Sequence, residues 1–493
     1  MKEGHTLSLL KSQKFLPLFI TQLLGAFNDN IFKNALIMLI VFKLVNDSSL
    51  YVNIAAALFI LPFFLFSGLA GQIAEKFEKS KIIKINKAIE FFIMLLASYA
   101  FYINSLNMLI FILFLMGSQS AFFGPLKYSI LPQLLKEKEI MAGNGIIEMA
   151  TFVAILLGTM TGTYLIVQNN GAGLVSVMLL FISFCGFLSS LFIPKAESLS
   201  PDLKISFNII KSTKEILHIV KQQKKSVYMS ILAVSWFWFL GAVYLTQLPQ
   251  FVKTELGYSE SVVTMFLVVF SLGIGFGSLL CERISKNYIE IGLVPFGSFG
   301  ITIFSILLYF EIQSFDSLTL MKDNVLMSLS QFQDDPRSIF LISYLFFIGL
   351  FGGFYTVPLY ALIQTRTIKQ HMSRIIAGNN ILNALFMVVS AVFAIILLNF
   401  LKISELFLVI AIMNGLIAVY IYKQIPEFFL RFLTWVILIF IYRIKTNGRE
   451  QIPAEGACVV VANHVSFVDA LLLTSKLLGN KLPSILFWGS RFK

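Results

Sequence analysis

Apolar residues occur along the chain in long runs that polar or basic loops interrupt. Twelve runs can be marked, each about the length that an α-helix needs to cross a bilayer, roughly 20 residues. They predict spans at about 15–42, 51–73, 83–103, 107–126, 144–167, 172–193, 226–251, 260–281, 288–311, 338–362, 375–400 and 404–423. The pattern therefore predicts an all-α membrane protein whose helices are arranged as six, a long polar loop, and six.

The polar loop, residues 194–225, carries seven lysines and no arginine. Four apolar residues share one side of a helical wheel, and lysines occupy the other. The apolar positions are Ile205, Ile209, Ile216 and Val220, and the lysines are Lys211, Lys214, Lys221 and Lys225. This pattern predicts an amphipathic helix at the cytoplasmic membrane surface. The predicted organisation is a first six-helix half, a linker and a second half, at residues 1–193, 194–225 and 226–425. The tail, residues 426–493, is predicted to begin with an interfacial anchor, because its apolar run between Arg431 and Arg443 is short for a span.

The composition agrees with a membrane protein and excludes several other classes. Of 493 residues, 57% are hydrophobic and 13% are charged, whereas soluble chains carry roughly 25% charged residues. The three cysteines stand in unrelated contexts, which excludes a disulfide scaffold and gives no metal-ligand spacing. We therefore predict no metal and no cofactor, and the absence of a Walker-type phosphate loop argues against ATP hydrolysis.

The net charge of +12 is explained by topology. If the N-terminus lies inside, the cytoplasmic ends and loops up to residue 422 hold 23 Lys and Arg, and the opposite loops hold five. Lys and Arg accumulate in cytoplasmic loops of membrane proteins. We therefore expect a multi-pass protein with both termini in the cytoplasm, and we exclude nucleic acid as a partner.

An internal duplication supports the arrangement of six plus six helices. The segment AGNGIIE at 142–148 returns as AGNNILN at 377–383, and LGAF at 24–27 returns as LGAV at 240–243. Duplicated six-helix halves resemble the transporters of the major facilitator superfamily, in which substrate is held between the halves near the membrane midplane. The resemblance implies a twelve-helix major-facilitator fold.

The loop after the second span, GQIAEKFEKSKIIK, resembles the signature loop of that superfamily. Gly71 would permit close helix approach, and Glu75, followed by Lys76, would meet helix ends or a basic partner in the other half. These three residues are the predicted cytoplasmic gate. A fainter echo, ERISK, stands at 282–286. The alternative is a solvated basic loop that only sets the topology.

The first span contains polar residues deep inside an apolar run. An ionisable group there costs about 2.5–3.5 kcal/mol, so it normally faces a cavity or a partner. Asp29 and Lys33 are one turn apart and could neutralise each other. The functional alternative is a polar stripe that faces a central cavity, where Asp29 binds a cationic headgroup or a coupling cation. Asn30 and Asn34 would add hydrogen bonds from the same side.

Three further positions are candidates. Lys127, beside Tyr128 at the end of the fourth span, either binds a phosphate or only extends its ammonium to the interface. Glu148 lies inside the fifth span, and its counterpart in the second repeat is the neutral Asn383. Glu90, early in the third span, is expected to be a helix-end residue that faces the cytoplasmic headgroups.

Over residues 1–425 the chain resembles the bacterial lysophospholipid transporter family. The resemblance is carried by TQLLGAFNDNIFKNAL, GPLKYSILPQLL and AGNGIIEMATFVAILLGTMTG. It implies a protein of the bacterial cytoplasmic (inner) membrane that flips lysophospholipids from the outer to the inner leaflet, with membrane lipids as its surroundings. The family positions carried over are Asp29, Asn30, Lys127, Tyr128, Gly143, Asn144 and Glu148. The acidic loop 312–336 and Lys33 depart from the shorter family members.

The tail contains NHVSFVD, in which His464 and Asp469 have the H-x-x-x-x-D spacing. A carboxylate near the imidazole raises its basicity, so that His464 could deprotonate a hydroxyl that attacks an acyl thioester. The tail resembles the start of a PlsC-type glycerolipid acyltransferase, an incomplete α/β segment. This resemblance implies acyl-carrier protein or acyl-CoA as a partner. Residues 426–493 are short for such a domain. We expect the sequence to be a fragment, a split gene product or a decayed fusion, and we expect no enzymatic activity from it.

Two alternatives to lysophospholipid flipping remain open from the sequence. One is a transporter of another amphiphile or a drug, because a fold does not fix its substrate. The other is a membrane-anchored acyltransferase whose helices only recruit lipid.

Overall fold

The computed structural model describes residues 5–40, 48–285, 291–314 and 326–424, and these residues are almost entirely helical. The first bundle contains α1 to α6, at Leu16–Leu39, Ser48–Lys76, Lys79–Tyr102, Leu106–Ser129, Ile140–Ile166 and Gly171–Leu191. A linker helix, α7, spans Ile209–Lys221. The second bundle contains α8 to α13, at Lys225–Thr254, Glu260–Ser285, Leu293–Ser314, Ser338–Arg366, Met372–Leu397 and Ile403–Gln424.

Ten of these helices are long and apolar enough to cross a membrane. The two other long helices of the bundles are α1 and α3, whose apolar runs are broken by polar residues. Asp29 and Lys33 stand in the middle of α1, and α3 begins with a series of lysines. Within the described ranges there is no strand, and Tyr258 and Met327 form an isolated bridge. The all-helical architecture predicted from the apolar runs is therefore confirmed for this part of the chain.

Each bundle is held by its own helix contacts, and two seams join the bundles. In the first bundle α1 packs on α5 and α2 on α4, and in the second α11 packs on α9 and α10. Across the molecule α2 meets α12, and α5 meets α9. The linker helix α7 contacts both α2 and α12. We call the membrane side on which α7 lies the linker side and the other the opposite side.

The repeated sequence segments occupy equivalent places in the two bundles. Pro125 lies near the end of α4 and Pro358 near the end of α11. A single 3₁₀ turn then precedes the next helix in each bundle, at Glu137–Glu139 before α5 and at Lys369–His371 before α12. The two AGN segments therefore begin matching helices on the linker side.

Small residues allow α9 and α11 to pack with their backbones in contact. A Cβ atom added to Gly277 would collide with the carbonyl oxygen of Leu350, and one added to Gly353 would collide with the amide nitrogen of Ser278. Small residues at helix interfaces serve this purpose in membrane proteins, where close van der Waals packing drives helix association.

We expect Gly277→Ala to lower the free energy of unfolding by about 1–3 kcal/mol, because the two backbones must separate. The measurement is the melting temperature in detergent. Gly241→Ala in α8 is the matched control, since its added Cβ would meet nothing within 4 Å and it gains the same helix propensity. Equal melting temperatures for the two variants would contradict the packing argument.

Candidate functional site

Asp29 lies about halfway along α1, where its side chain is partly exposed. Its Oδ2 accepts a hydrogen bond of 2.6 Å from the Ser120 hydroxyl of α4. The Lys33 ammonium, one turn further on, lies 5.7 Å from the ring centroid of Phe59 in α2. In the described residues Asp29 and Lys33 thus contact different neighbours and form no ion pair within 4 Å.

Asn30 and Asn34 lie on a different face of α1, the one that packs against α5. The Asn30 amide donates to the carbonyl oxygen of Ala26 at 2.8 Å. The Asn34 amide donates to the Thr159 hydroxyl of α5 at 3.0 Å, and a Cβ on Gly158 would lie 2.7 Å from Cβ of Asn30. The structure therefore does not bring these two amides to the same side as Asp29, and a role for them in binding stays a prediction.

Behind Asp29 the first bundle contains a buried ion pair between Lys87 and Glu90 of α3. The two charged atoms are 2.5 Å apart, and both residues are at most 2% exposed. Glu90 also accepts from the amides of Asn28 at 3.3 Å and Gln119 at 2.9 Å. The expectation that Glu90 is a helix-end residue facing the headgroups is wrong, because its carboxylate ties α1, α3 and α4 together inside the bundle.

Lys127, Tyr128 and Glu148 form a second polar group, nearer the linker side. The Tyr128 hydroxyl donates to Oε1 of the buried Glu148 at 2.6 Å. The Lys127 side chain is partly exposed, and its ammonium lies 4.9 Å from the Tyr128 ring centroid. The three residues singled out from the sequence are thus brought together here.

This polar group is attached directly to the second bundle. The Tyr128 ring stacks on that of Tyr360 in α11, with centroids 4.3 Å apart and planes 7° from parallel. Gln364 of α11 donates to the Tyr128 carbonyl oxygen at 3.1 Å. It also exchanges two amide hydrogen bonds with Asn144 of α5, at 2.6 and 3.1 Å. Sequence reasoning missed Tyr360 and Gln364, since neither stands in a motif.

The predicted gate residue Glu75 has a basic partner in the other bundle. Arg374 of α12 donates from Nε to both carboxylate oxygens at 3.1 Å and from Nη2 to Oε1 at 2.9 Å. Glu75 is 1% exposed. Arg374 Nη2 is also 2.7 Å from Nδ1 of His371. The guanidinium is the donor of this hydrogen bond, because it has no acceptor atom. The bidentate pair of Glu75 and Arg374 is a contact with a basic partner in the other bundle, as the signature loop predicts.

The other two predicted gate residues, Gly71 and Lys76, have different surroundings. A Cβ on Gly71 would lie 2.6 Å from Cβ of Ala377 in α12, so the glycine does permit the close approach. Lys76 is turned to its own loop, with its ammonium 5.9 Å from the ring centroid of Phe77. At the other seam, a Cβ added to Gly145 of α5 would lie 2.5 Å from the carbonyl oxygen of Ser278 in α9.

These inter-bundle contacts all lie on the linker side. They are made by the last turns of α2, α4 and α11 and by the first turns of α5 and α12. Further towards the midplane, Phe152 of α5 packs on Phe237 and Trp238 of α8, with centroids 6.4–6.5 Å apart. The bundles are therefore closed on each other from the linker side to the midplane. His464 and Asp469 lie outside the described residues.

The family model described as Major Facilitator Superfamily matches residues 18–330, more than half of the chain. The chain belongs to the Major Facilitator Superfamily. It is accordingly a multi-pass membrane transporter. Among curated proteins it is similar to the "Lysophospholipid transporter LplT" of Escherichia coli O1:K1 / APEC, with 26% identity over 365 residues, 73% of this chain and 83% of the relative. The protein of the same name from Escherichia coli O157:H7 is 25% identical over 366 residues.

Solved structures show the same fold at low sequence identity. The human organic anion transporter MFSD10 (TETRAN) superposes with a TM-score of 0.67 and 12% identity, over 83% of this chain and 99% of that chain. The transporter FucP in its outward conformation superposes with a TM-score of 0.61 and 10% identity, over 84% and 99%. These two likenesses establish the architecture alone.

We expect Glu75→Lys to open the linker side, because breaking a buried ion pair costs about 3–5 kcal/mol. The reporter is Ser129→Cys at the seam, in a chain whose native cysteines are replaced by alanine. Labelling of this cysteine by a membrane-impermeant maleimide from the linker side should rise at least about tenfold. The double variant Glu75→Arg with Arg374→Glu should return the rate towards that of the parent. An unchanged rate in Glu75→Lys would leave Glu75 as a topology residue only.

Proposed function

We propose that this transporter flips lysophospholipids from the outer to the inner leaflet of a bacterial cytoplasmic membrane. The observation that supports the proposal is the different chemistry of the two bundles at mid-helix. The first bundle offers charges of both signs there, and the second offers an apolar cleft. A molecule with a charged headgroup and one acyl chain is complementary to such a pair of surfaces.

The charged lining suits a zwitterionic headgroup. Asp29, Lys33 and Lys127 are all partly exposed, although they lie inside helices of the first bundle. Asp29 uses its Oδ2 for the Ser120 hydroxyl, and in this proposal an ammonium group binds its Oδ1. The two lysines supply the opposite charge for a phosphate, the ligand for which Lys127 was singled out from the sequence. Lysophosphatidylethanolamine carries both groups.

The apolar cleft lies about halfway along α8 and is centred on Gly241. Its walls are Phe237, Leu240, Tyr244, Phe270, Ile301 and Ile348. A Cβ on Gly241 would have open space around it, with no atom within 4 Å. Gly241 is one turn beyond Phe237, where α8 touches α5. We propose that the acyl chain of the substrate contacts this apolar surface beside Gly241.

Charge asymmetry supports the membrane orientation that the proposed direction of transport requires. Lys and Arg are concentrated in the loops on the linker side, which by the positive-inside rule is the cytoplasmic side. Both termini would then be cytoplasmic. With the linker side closed, the space beside Asp29 and Gly241 would be reached from outside, as uptake from the outer leaflet requires. The bundle boundaries 1–193 and 226–425, with the linker 194–225 between them, belong to this proposal.

If the acyltransferase domain is complete, the tail would connect transport to re-acylation in the cytoplasm. Its resemblance to PlsC-type acyltransferases makes His464 the proposed base and Asp469 its orienting carboxylate, with acyl-carrier protein or acyl-CoA as acyl donor. Residues 426–493 are outside the described part of the chain. The proposal for transport rests on residues 5–424 and does not need the tail.

The decisive assay uses proteoliposomes with labelled lysophosphatidylethanolamine, diacyl phosphatidylethanolamine and an unrelated cationic dye, alongside an acyl-transfer assay. We expect flipping of the lysolipid only. Transport of the dye alone would favour the drug-transporter alternative, and acyl transfer without flipping would favour the acyltransferase alternative.

Asp29→Asn should lower lysophosphatidylethanolamine uptake by about tenfold or more, since a charge-assisted hydrogen bond contributes about 1.5–3 kcal/mol. Uptake of lysophosphatidylglycerol, which lacks the ammonium group, should change much less. Asp334→Asn, in an exposed opposite-side position, is the control. Unchanged uptake of both lysolipids, or a variant that fails to fold, would count against Asp29 as a binding residue.

Gly241→Leu should fill the apolar cleft without backbone collision. Uptake of lysolipids with long acyl chains should fall by about tenfold, and that of short-chain analogues should fall less, because burial of each CH₂ contributes about 0.8 kcal/mol. Gly241→Ala should remain close to the parent protein. If chain length makes no difference to the Gly241→Leu variant, the acyl chain binds elsewhere.

A further inference from the structure

The linker helix α7 packs on both bundles at once. Its buried residues are Ser212, Ile216 and Val220, each at most 1% exposed. A Cβ on Gly68 of α2 would lie 3.1–3.3 Å from Ser212 and the amide nitrogen of Thr213. On the other bundle, a Cβ on Gly378 of α12 would collide with Val220. The buried face of α7 is therefore covered by protein, and the helix crosses the α2/α12 seam.

Hydrogen bonds fix the start of this segment to the first bundle. The Ser206 amide donates to Oε1 of Gln72 at 2.8 Å, and the Ser212 hydroxyl donates to the Ser206 carbonyl oxygen at 2.6 Å. Asn208 caps the helix by accepting from the Lys211 amide at 3.0 Å. These contacts hold α7 in a single position in this closed arrangement.

The crossing point is beside the gate. Gly378 stands one turn after Arg374 in α12, and Gly68 stands two turns before Glu75 in α2. If the linker side opens, these two helices must separate there, and α7 cannot keep both contacts. The helix therefore acts as a clamp on the closed state, in addition to the ion pair between Glu75 and Arg374.

The uncovered surface of the segment is basic. Glu215 is its one acidic residue between positions 203 and 225. Six exposed lysines line it: Lys204, Lys211, Lys214, Lys221, Lys224 and Lys225. Two large apolar side chains stand among them without cover, with Phe207 at 76% and Ile210 at 69% exposure. Lysines near an anionic leaflet contribute about 1 kcal/mol each, and aromatic and aliphatic residues insert at the acyl boundary.

We propose that the lysine surface of α7, with Phe207 and Ile210, binds anionic phospholipids of the adjacent leaflet and that this binding stabilises the closed linker side. The lysines and the docked residues lie on different faces, so that α7 binds lipid and both bundles together. Binding to an anionic leaflet thereby stabilises α7 in its docked position across the α2/α12 seam. This regulation is independent of which substrate the transporter carries.

The test measures opening directly and does not depend on transport. The Ser129→Cys reporter is placed in nanodiscs of phosphatidylcholine, with or without phosphatidylglycerol, and its labelling rate from the linker side is recorded. We expect phosphatidylglycerol to lower the rate about fivefold, an ordinary size for coupling between two sites. Replacement of Lys204, Lys211, Lys214 and Lys221 by glutamine should abolish this difference.

The matched control replaces four exposed linker-side lysines elsewhere, Lys11, Lys14, Lys136 and Lys138, by glutamine and should keep the full lipid effect. Ile216→Ala with Val220→Ala weakens the docked face without a change of charge and should raise the rate in both lipid mixtures. An equal lipid effect in the two lysine variants would overturn the proposal. So would reproduction of the effect by inorganic phosphate in phosphatidylcholine alone, because the surface would then bind a soluble anion.

Discussion

The cost of placing charge inside a membrane determines how this protein is arranged. Each ionisable side chain within a span must be paired, hydrogen-bonded or exposed to a water-filled space, since otherwise it costs several kcal/mol. All three solutions are used. Lys87 and Glu90 pair inside one bundle, Glu75 pairs with Arg374 across a seam, and Asp29 is partly exposed and accepts a hydrogen bond from Ser120. Only the last arrangement leaves a charge for a ligand, which is why the binding proposal rests on it.

The sequence predicted the helices well because their signal is local. Apolar runs of the right length mark each span, and repeated segments relate the two bundles. It also indicated that Glu75 needs a basic partner. It could not identify Arg374, which is 299 residues away and stands in no recognisable motif. Pairing across a fold depends on where helices meet, and one sequence does not contain that information.

Two predictions about where side chains lie were wrong, and the reasons are geometrical. Successive residues of an α-helix are about 100° apart, and residues four apart share a face. Asn30 and Asn34 therefore share a face with each other and turn away from Asp29. The expected position of Glu90 was wrong. Its closeness to the start of the helix suggested an interfacial position, but Lys87 on the same face pairs with its carboxylate and allows it to be buried. For α7 the sequence distinguished the apolar from the basic face, but the apolar face packs on the transporter itself.

The duplicated bundles meet through two seams of different chemistry. Arg374 stands three residues before the second AGN segment, and the residue at the same place in the first repeat is Glu139. Glu282 occupies the place of Glu75, so that the positions of Glu75 and Arg374 correspond to two glutamates in the other repeat. At the α5/α9 seam, a Cβ added to Gly145 would lie 2.5 Å from the carbonyl oxygen of Ser278. Separation of α2 from α12 would therefore expose two charges that water must hydrate, a cost that the close backbone packing at Gly145 does not carry.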